Sequence, residues 1–323
     1  MSNKKLNVKK IVKLVGKFIS IISIAFVVYA IYKLGFDFSQ VKNWPLFILV
    51  VCLCSIAKGI TVFMSGTAWY RWLCFFSGKK ADRREALRVY SKANIGKYLP
   101  GNVMHYVERN LFAGKLGISQ KKLAISSLME VVTLATSATV LAIVLSAKSL
   151  VTAIKAIIDL IGLTYVVVAF AVGIVMFIAI VFIFRRKIFS ILADYSLATF
   201  VKTLVGNVAL YALVQFILGS LMVILYLYMG FSFDLQKAGI IVSGYVIAWV
   251  MGFIVPGAPG GMGVREMVIT LLLGSVIGKS MIVTLSVIHR LITIIGDFEA
   301  YWFGMFFLAD KSKKIDEVSD EQE

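Results

Sequence analysis

The stretch of sequence that decides the fold covers residues 44–70 and reads WPLFILVVCLCSIAKGITVFMSGTAWY. Its only charged side chain is Lys58. A helix needs about 20 mostly apolar residues to cross the hydrocarbon core of a bilayer, and this stretch is longer than that. It also lacks the strict polar–apolar alternation that marks the strands of a membrane barrel. The stretch therefore predicts a transmembrane helix.

Comparable apolar runs recur along the whole chain. They predict further spans at 18–34, 123–147, 161–184, 204–229, 237–255, 264–278 and 281–308, the run at 264–278 being short. The composition agrees, because 60% of the residues are hydrophobic, the mean hydropathy is +0.90 and only 16% are charged. Soluble domains contain about 25% charged residues. We predict an all-α polytopic membrane protein with about eight transmembrane helices in one domain, 18–308, divided into halves at 18–184 and 204–308.

The net charge of +17 first suggests nucleic-acid binding. The basic residues, however, flank the apolar runs, at 4–17, 71–92, 185–187 and 311–314. This is the distribution of cytoplasmic loops, so the sequence favours an anionic lipid surface over nucleic acid as partner. We predict a multi-pass protein of the cytoplasmic membrane with a basic cytoplasmic N-terminus at 1–17, a disordered acidic tail at 309–323, and both termini in the cytoplasm.

Three of the four prolines fall in two glycine-containing interruptions of the helical pattern. The first reads IGKYLPGNVMHYVER at 95–109, and the second reads VPGAPGGMGVRE at 255–266. Proline and glycine break helices, and a break at membrane depth needs protein, water or ligand to satisfy its backbone. Paired interruptions in two halves mark the substrate site of many transporters. The alternative is two tight turns that cap ordinary helices.

These segments carry the predicted substrate site, together with a charged residue of the last span. Asn102 suits a helix N-cap, which would point the positive end of that helix at an anion. Arginine forks match phosphate oxygens, and the alternative role for each arginine is a structural ion pair with Glu108, Glu130, Glu266 or Asp297. The predicted substrate-binding residues are Lys97, Asn102, His105, Arg109, Gly260, Gly261, Arg265, Glu266 and Arg290.

Three further charged residues lie inside predicted spans, where an ionisable group is costly and usually has a partner or a function. They are Lys58, Glu130 and Asp297, which we interpret as ion-pair or proton-coupling groups. Arg290, Thr293 and Asp297 share one helix face by their spacing. Two histidines and three clustered cysteines do not form a metal site. We predict no metal, no cofactor and no catalytic residues.

At the two interruptions the sequence resembles the lysylphosphatidylglycerol synthase transmembrane-region family. Residues 94–103, NIGKYLPGNV, are similar to its Asn-Ile-x-Lys-Tyr-Ile/Leu-Pro-Gly-x-Val segment, and residues 259–266, PGGMGVRE, to its Pro-Gly-Gly-x-Gly-x-Arg-Glu segment. The resemblance implies a flippase-like membrane domain that moves modified or glycosylated phospholipid between leaflets. Its best-known members add a soluble aminoacyl-transferase domain, and we expect none here because the sequence stops soon after the last span.

The leading hypothesis is a flippase-like protein that translocates or handles an anionic or modified phospholipid. One alternative is an accessory or scaffold subunit for a separate lipid- or glycolipid-modifying synthase or glycosyltransferase. Another is a membrane-embedded transferase of the phosphatidylglycerol lysyltransferase type, although the chain shows no nucleotide-binding motif. Transport is favoured over enzymatic activity.

Overall fold

The computed structural model describes residues 41, 43–98, 104–162, 164, 196–254, 261 and 263–308. Within these ranges the chain is helical, with no β-strand. Short 3-10 helices occupy Ile95–Tyr98 and Ala113–Leu116. The α-helices are α1 (Trp44–Ser77), α2 (Arg83–Asn94), α3 (Met104–Phe112), α4 (Gln120–Ile161), α5 (Leu197–Tyr228), α6 (Leu235–Ile254), α7 (Val264–Ile277) and α8 (Lys279–Phe306).

Five of the described helices are long and apolar enough to cross a membrane. They are α1, the Gln120–Ala147 part of α4, α5, the Leu235–Phe253 part of α6, and α8. The prediction of an all-α polytopic membrane protein is confirmed. The predicted span at 18–34, most of the span at 161–184, the N-terminus at 1–17 and the tail at 309–323 lie outside the described residues.

Two parts of the chain form helices that are too short to cross the bilayer. Helix α7 has 14 residues, a length of about 21 Å, whereas the hydrocarbon core is about 30 Å thick. The polar stretch between α1 and α4 folds into α2, α3 and the two 3-10 helices. Both short regions adjoin the interruptions that the sequence identifies, which agrees with the predicted half-helix or re-entrant segments.

Local sequence explains where α1 begins and ends. The side-chain oxygen of Asn43 accepts a hydrogen bond from the backbone N–H of Leu46 at 3.1 Å, and Pro45 fills a first-turn position that needs no donor. Gly78 ends the helix with φ of 68°, a conformation that glycine adopts without strain. Asp82 then caps α2 by accepting from the backbone N–H of Arg84 at 2.8 Å.

Helix α8 lies at the centre of the bundle. In its most apolar stretch 61% of the residues are buried, against 28% in α4. It packs closely against α1. A Cβ atom added to Gly59 of α1 would lie only 3.2 Å from the backbone oxygen of Gly296 of α8. Small residues at such crossings let two helix backbones approach in the absence of a strong hydrophobic driving force. The charged face of α8 is thereby brought next to Lys58 of α1.

The close approach of α1 and α8 leads to a first prediction. A Cβ on Gly296 would lie 2.7 Å from Lys58 Cγ and closer still to the backbone oxygen of Ser55. We expect Gly296→Ala to destabilise the protein by about 1–3 kcal/mol, the usual cost of overpacking. Unfolding in mixed detergent micelles, followed by tryptophan fluorescence, measures this loss. Gly114→Ala is the control, since its new Cβ would meet only Gln120 Nε2 at 3.9 Å; equal losses in both variants would contradict the prediction.

Candidate functional site

A polar cavity lies inside the helix bundle, and all eight described α-helices contribute to its wall. Its empty volume is about 1010 Å³, including space that is continuous with the outside. The polar and aromatic residues of the wall are Lys58, Thr61, Ser65, Tyr90, Asn94, Lys97, Tyr98, His105, Tyr106, Arg109, Glu130, Tyr211, Gln215, Tyr245, Trp249, Phe253, Arg265, Arg290, Thr293 and Asp297.

Asp297 of α8 is fully buried and organises one side of the cavity. Its Oδ1 atom lies 2.6 Å from Lys58 Nζ, and its Oδ2 atom lies 2.6 Å from Lys97 Nζ. Asn94 Nδ2 donates to Oδ1 at 2.7 Å, and the hydroxyl of Tyr98 donates to Oδ2 at 2.5 Å. Each carboxylate oxygen therefore has two donors, its full capacity. This cluster ties α1, α2 and the following 3-10 helix to α8.

Glu130 of α4 organises a second cluster, also buried. Its Oε2 atom forms an ion pair with Arg109. Its Oε1 atom accepts hydrogen bonds from the hydroxyls of Tyr90 at 2.7 Å and Tyr211 at 2.9 Å. The guanidinium of Arg109 also lies over the Tyr90 and Tyr106 rings, 4.3 and 5.1 Å from their centroids. Arg109 is thus neutralised by a carboxylate and covered by aromatic rings.

Arg265 of α7 is held differently, because no carboxylate pairs with it among the described residues. Its guanidinium lies 5.4 Å from the ring centroid of Trp249, and its Nε atom is buried with no hydrogen-bond partner. The side chain fits against two glycines. A Cβ on Gly261, whose φ is +73°, would lie 2.7 Å from Arg265 Nε and from the backbone oxygen of Gly252. This packing holds the guanidinium of Arg265 in place at the cavity wall.

The neighbouring charges of α7 and α8 form an ion pair of their own. Arg290 Nη1 lies 3.4 Å from Glu266 Oε1, while Glu266 Oε2 accepts from the backbone N–H of Gly263 at 2.7 Å. Arg290 and Glu266 border a smaller pocket of about 370 Å³ empty volume. The smaller pocket shares five wall residues with the cavity: Tyr245, Trp249, Arg265, Arg290 and Thr293.

Burial lowers the pKa of two basic groups beside the first interruption, His105 and Lys97. Burial lowers the pKa of His105 well below its usual range, and nearby Arg109 lowers it further, so the imidazole is neutral at pH 7. Its Nδ1 atom has no hydrogen-bond partner. Burial also lowers the pKa of Lys97 to about 8, although Asp297 opposes that shift. Lys97 is still mainly protonated at neutral pH, and its side chain is 25% exposed.

A model of the family described as "Lysylphosphatidylglycerol synthase TM region" matches residues 19–298. The chain belongs to this family. No curated protein matches it. The match spans every cavity residue named above and confirms the resemblance found at the two interruptions. As a member of the lysylphosphatidylglycerol synthase transmembrane-region family, the chain is a multi-pass membrane protein of a family related to lipid modification.

The structure of this family member brings most of the predicted site residues together. Lys97, His105, Arg109, Arg265 and Arg290 all line the cavity, and Glu266 lines the adjoining pocket. Gly261 supports the side chain of Arg265. Asn102 and Gly260, like the prolines at 100, 256 and 259, lie outside the described residues.

The three charged residues that the sequence placed inside spans also face the cavity, all of them in ion pairs. Lys58 pairs with Asp297, and Glu130 pairs with Arg109. Arg109 and Arg290 therefore show the alternative role that the sequence left open, a structural ion pair. Of the three predicted phosphate clamps, only Arg265 has no carboxylate partner in the part of the chain that the structure describes.

Sequence reasoning missed the hydrogen-bond donors that surround the two carboxylates. Tyr90, Tyr98 and Tyr211 donate to Glu130 or Asp297, and Asn94 donates to Asp297. A signal existed for two of them, because Asn94 and Tyr98 belong to the motif at 94–103. The other two tyrosines have no distinguishing neighbours among the 13 tyrosines of the chain.

Proposed function

We propose that the protein admits the headgroup of an anionic phospholipid into this cavity and moves the lipid between the leaflets of the cytoplasmic membrane. The observation that carries the proposal is an excess of positive charge at the cavity wall. Five cationic side chains, Lys58, Lys97, Arg109, Arg265 and Arg290, stand against two carboxylates, Glu130 and Asp297. Glu266, in the adjoining pocket, leaves an excess of two.

Arg265 is a cation without a carboxylate partner in the described ranges, and it lies inside a helix bundle that is embedded in the bilayer. Removing a charge from water costs several kcal/mol unless a partner replaces its hydration. Arg265 is partly desolvated by Trp249 and the two glycine backbones, and it has no carboxylate partner in the described ranges. A phosphodiester entering the cavity supplies the missing negative charge. Its two free oxygens match the fork of the guanidinium.

Lys97 is the second group that we assign to the phosphate. Its side chain is the more exposed of the two lysines that contact Asp297, at 25% against 7% for Lys58. Asp297 keeps Lys58, Asn94 and Tyr98 as donors if Lys97 turns towards an anion.

The headgroup then crosses the hydrocarbon core within a polar environment while its acyl chains remain in lipid. We place the basic loop before α2 and both termini at the cytoplasmic face.

The test is lipid flipping by purified protein in vesicles of neutral phosphatidylcholine. Acyl-labelled fluorescent phosphatidylglycerol is added, and dithionite bleaching reports its movement between leaflets. We expect Arg265→Gln to slow flipping by about 10- to 100-fold, because a hydrogen bond to a charged group contributes about 1.5–3 kcal/mol. Glutamine keeps much of the length of the side chain and removes the charge.

The matched control is Arg84→Gln, which removes an exposed arginine at the start of α2. Its flipping rate should stay within about twofold of the parent rate, as for most surface substitutions. A parent protein that moves no lipid above the rate of empty vesicles contradicts the proposal. An unchanged rate in Arg265→Gln contradicts the role assigned to Arg265. Loss of a lipid species from a deletion strain would instead favour the transferase alternative.

A further inference from the structure

An exposed group of basic side chains lies where α1 ends and α2 begins. Its members, which we call the basic cluster, are Lys79, Lys80, Arg83 and Arg84. None of them forms an ion pair with a carboxylate of the described residues. Of the two acidic residues nearest in sequence, Asp82 caps the backbone of α2, and Glu85 pairs with Arg88 at 3.4 Å. The basic cluster therefore keeps an excess of positive charge.

The end of α8 points towards the basic cluster. Asn94, the last residue of α2, donates to Asp297 of α8 at 2.7 Å. Further along α8, a Cβ added to Gly304 would meet the side chain of Ser91 and would lie 4.0 Å from the Cα atom of Arg88. The two helices therefore run in opposite directions, and the last turn of α8 lies beside the first turns of α2. The chain leaves α8 next to the basic cluster.

The sequence that follows α8 carries the opposite charge. Residues 316–323 read DEVSDEQE, with five carboxylates and no basic side chain. The eight positions from Leu308 to Asp316 can span up to about 26 Å when the chain is extended. Arg83 and Arg84 lie within about 8 Å of Arg88 along the axis of α2. The acidic segment 316–323 is therefore within reach of the basic cluster.

We propose that the acidic segment 316–323 docks on the basic cluster of the same chain. Charge complementarity favours this occupant, and so does the tether, because a short flexible connection gives an effective concentration on the order of millimolar. The contact fastens the outer ends of α2 and α8, the helices that Asn94 and Asp297 join inside the bundle. This docking goes beyond the proposed function and does not depend on lipid movement through the cavity.

Zero-length cross-linking with a carbodiimide tests the docking, because it joins a lysine amine directly to a carboxylate in contact with it. The full chain is placed in nanodiscs of neutral phosphatidylcholine, cross-linked and digested, and mass spectrometry identifies the joined residues. Lys202 is the internal comparison, since it is exposed at the start of α5, where the ring of Phe200 lies 5.6 Å from that of Trp72 near the end of α1.

We expect Lys79 and Lys80 to couple to segment 316–323 at least about fivefold more often than Lys202 does, because several surface ion pairs act together at the cluster. Equal coupling at Lys202 would mean that the segment samples this whole face of the bundle, and the docking would be refuted.

Two changes test whether charge holds the segment in place. Arg83→Gln combined with Arg84→Gln removes half of the charge of the cluster but neither lysine. We expect it to lower coupling at Lys79 and Lys80 about fivefold, as for the loss of two surface ion pairs. Lys202→Gln, the matched control, should leave that coupling unchanged. Sodium chloride at about 1 M, where the Debye length is about 3 Å, should also suppress it. Coupling that resists both the double variant and salt contradicts docking by charge.

The same measurement recognises two other occupants of the basic cluster. Nanodiscs assembled from a mixture of isotope-labelled and unlabelled chains distinguish coupling within one chain from coupling between chains, and coupling mainly between chains would assign the cluster to a second copy. Nanodiscs with equal parts phosphatidylglycerol and phosphatidylcholine offer an anionic surface. Coupling that disappears in these nanodiscs would assign the cluster to that surface. Either result overturns the proposal, which expects coupling within one chain in both lipid compositions.

Discussion

Replacing Asp297 with asparagine should destabilise the protein by about 3–5 kcal/mol, the usual cost of removing one partner from a buried ion pair. The variant keeps the shape of the side chain, and its carbonyl oxygen can still accept from Asn94 or Tyr98. What it loses is the negative charge between Lys58 Nζ and Lys97 Nζ, each 2.6 Å away. Two ammonium groups then face each other across a neutral amide in a bilayer-embedded site.

Unfolding in mixed detergent micelles measures this loss, and two variants bracket it. Lys58→Met leaves Asp297 paired with Lys97, so it should cost clearly less than Asp297→Asn. Asp234→Asn is the matched control, because Asp234 is exposed and caps the backbone of Lys237 at 2.7 Å, and asparagine caps equally well. A loss in Asp297→Asn no greater than in Asp234→Asn would show that the buried cluster contributes little to stability.

The fold was predictable because each spanning helix carries its own signal. A long apolar run specifies a membrane helix without reference to any other part of the chain, since lipid rather than a partner covers most of its surface. Thus the run at 44–70 predicted α1, which extends to Ser77. The ends were less accurate because turn chemistry, not hydropathy, decides them, as at Gly78. Helix α4 shows the same limit, because it continues to Ile161, past the end of the predicted run at 147, and its backbone departs from helical geometry at Ser146.

The charged residues of the cavity wall were also predictable, but their pairing was not. A charge in an apolar run is conspicuous, which identified Lys58, Glu130 and Asp297 singly. Lys58 and Asp297 are 239 positions apart, and nothing local relates them. The spacing of Arg290, Thr293 and Asp297 did predict one common helix face, and all three line the cavity. Partner choice depends on how the helices cross, and that is a property of the whole bundle.

The ion pair of Arg109 and Glu130 carries the second large expected effect. Glu130→Gln should cost about 3–5 kcal/mol, because it leaves the guanidinium of Arg109 buried without a counter-charge. Glutamine keeps an oxygen that can accept from the hydroxyls of Tyr90 and Tyr211, so the loss reports the charge rather than those hydrogen bonds. The same detergent unfolding experiment provides the measurement.

Arg109→Met in the Glu130→Gln background tests whether an unpaired charge is the cause. The double variant removes both charges and keeps a side chain of similar length at 109, so we expect it to recover most of the stability that Glu130→Gln loses. Losses that simply add would mean that the two residues act independently, against the ion pair in the structure. Recovery of stability should not restore lipid movement to the same extent, because Arg109 lines the cavity and the double variant removes its positive charge from the wall. The contrast between recovered folding and reduced flipping would assign Arg109 to the headgroup as well as to the bundle.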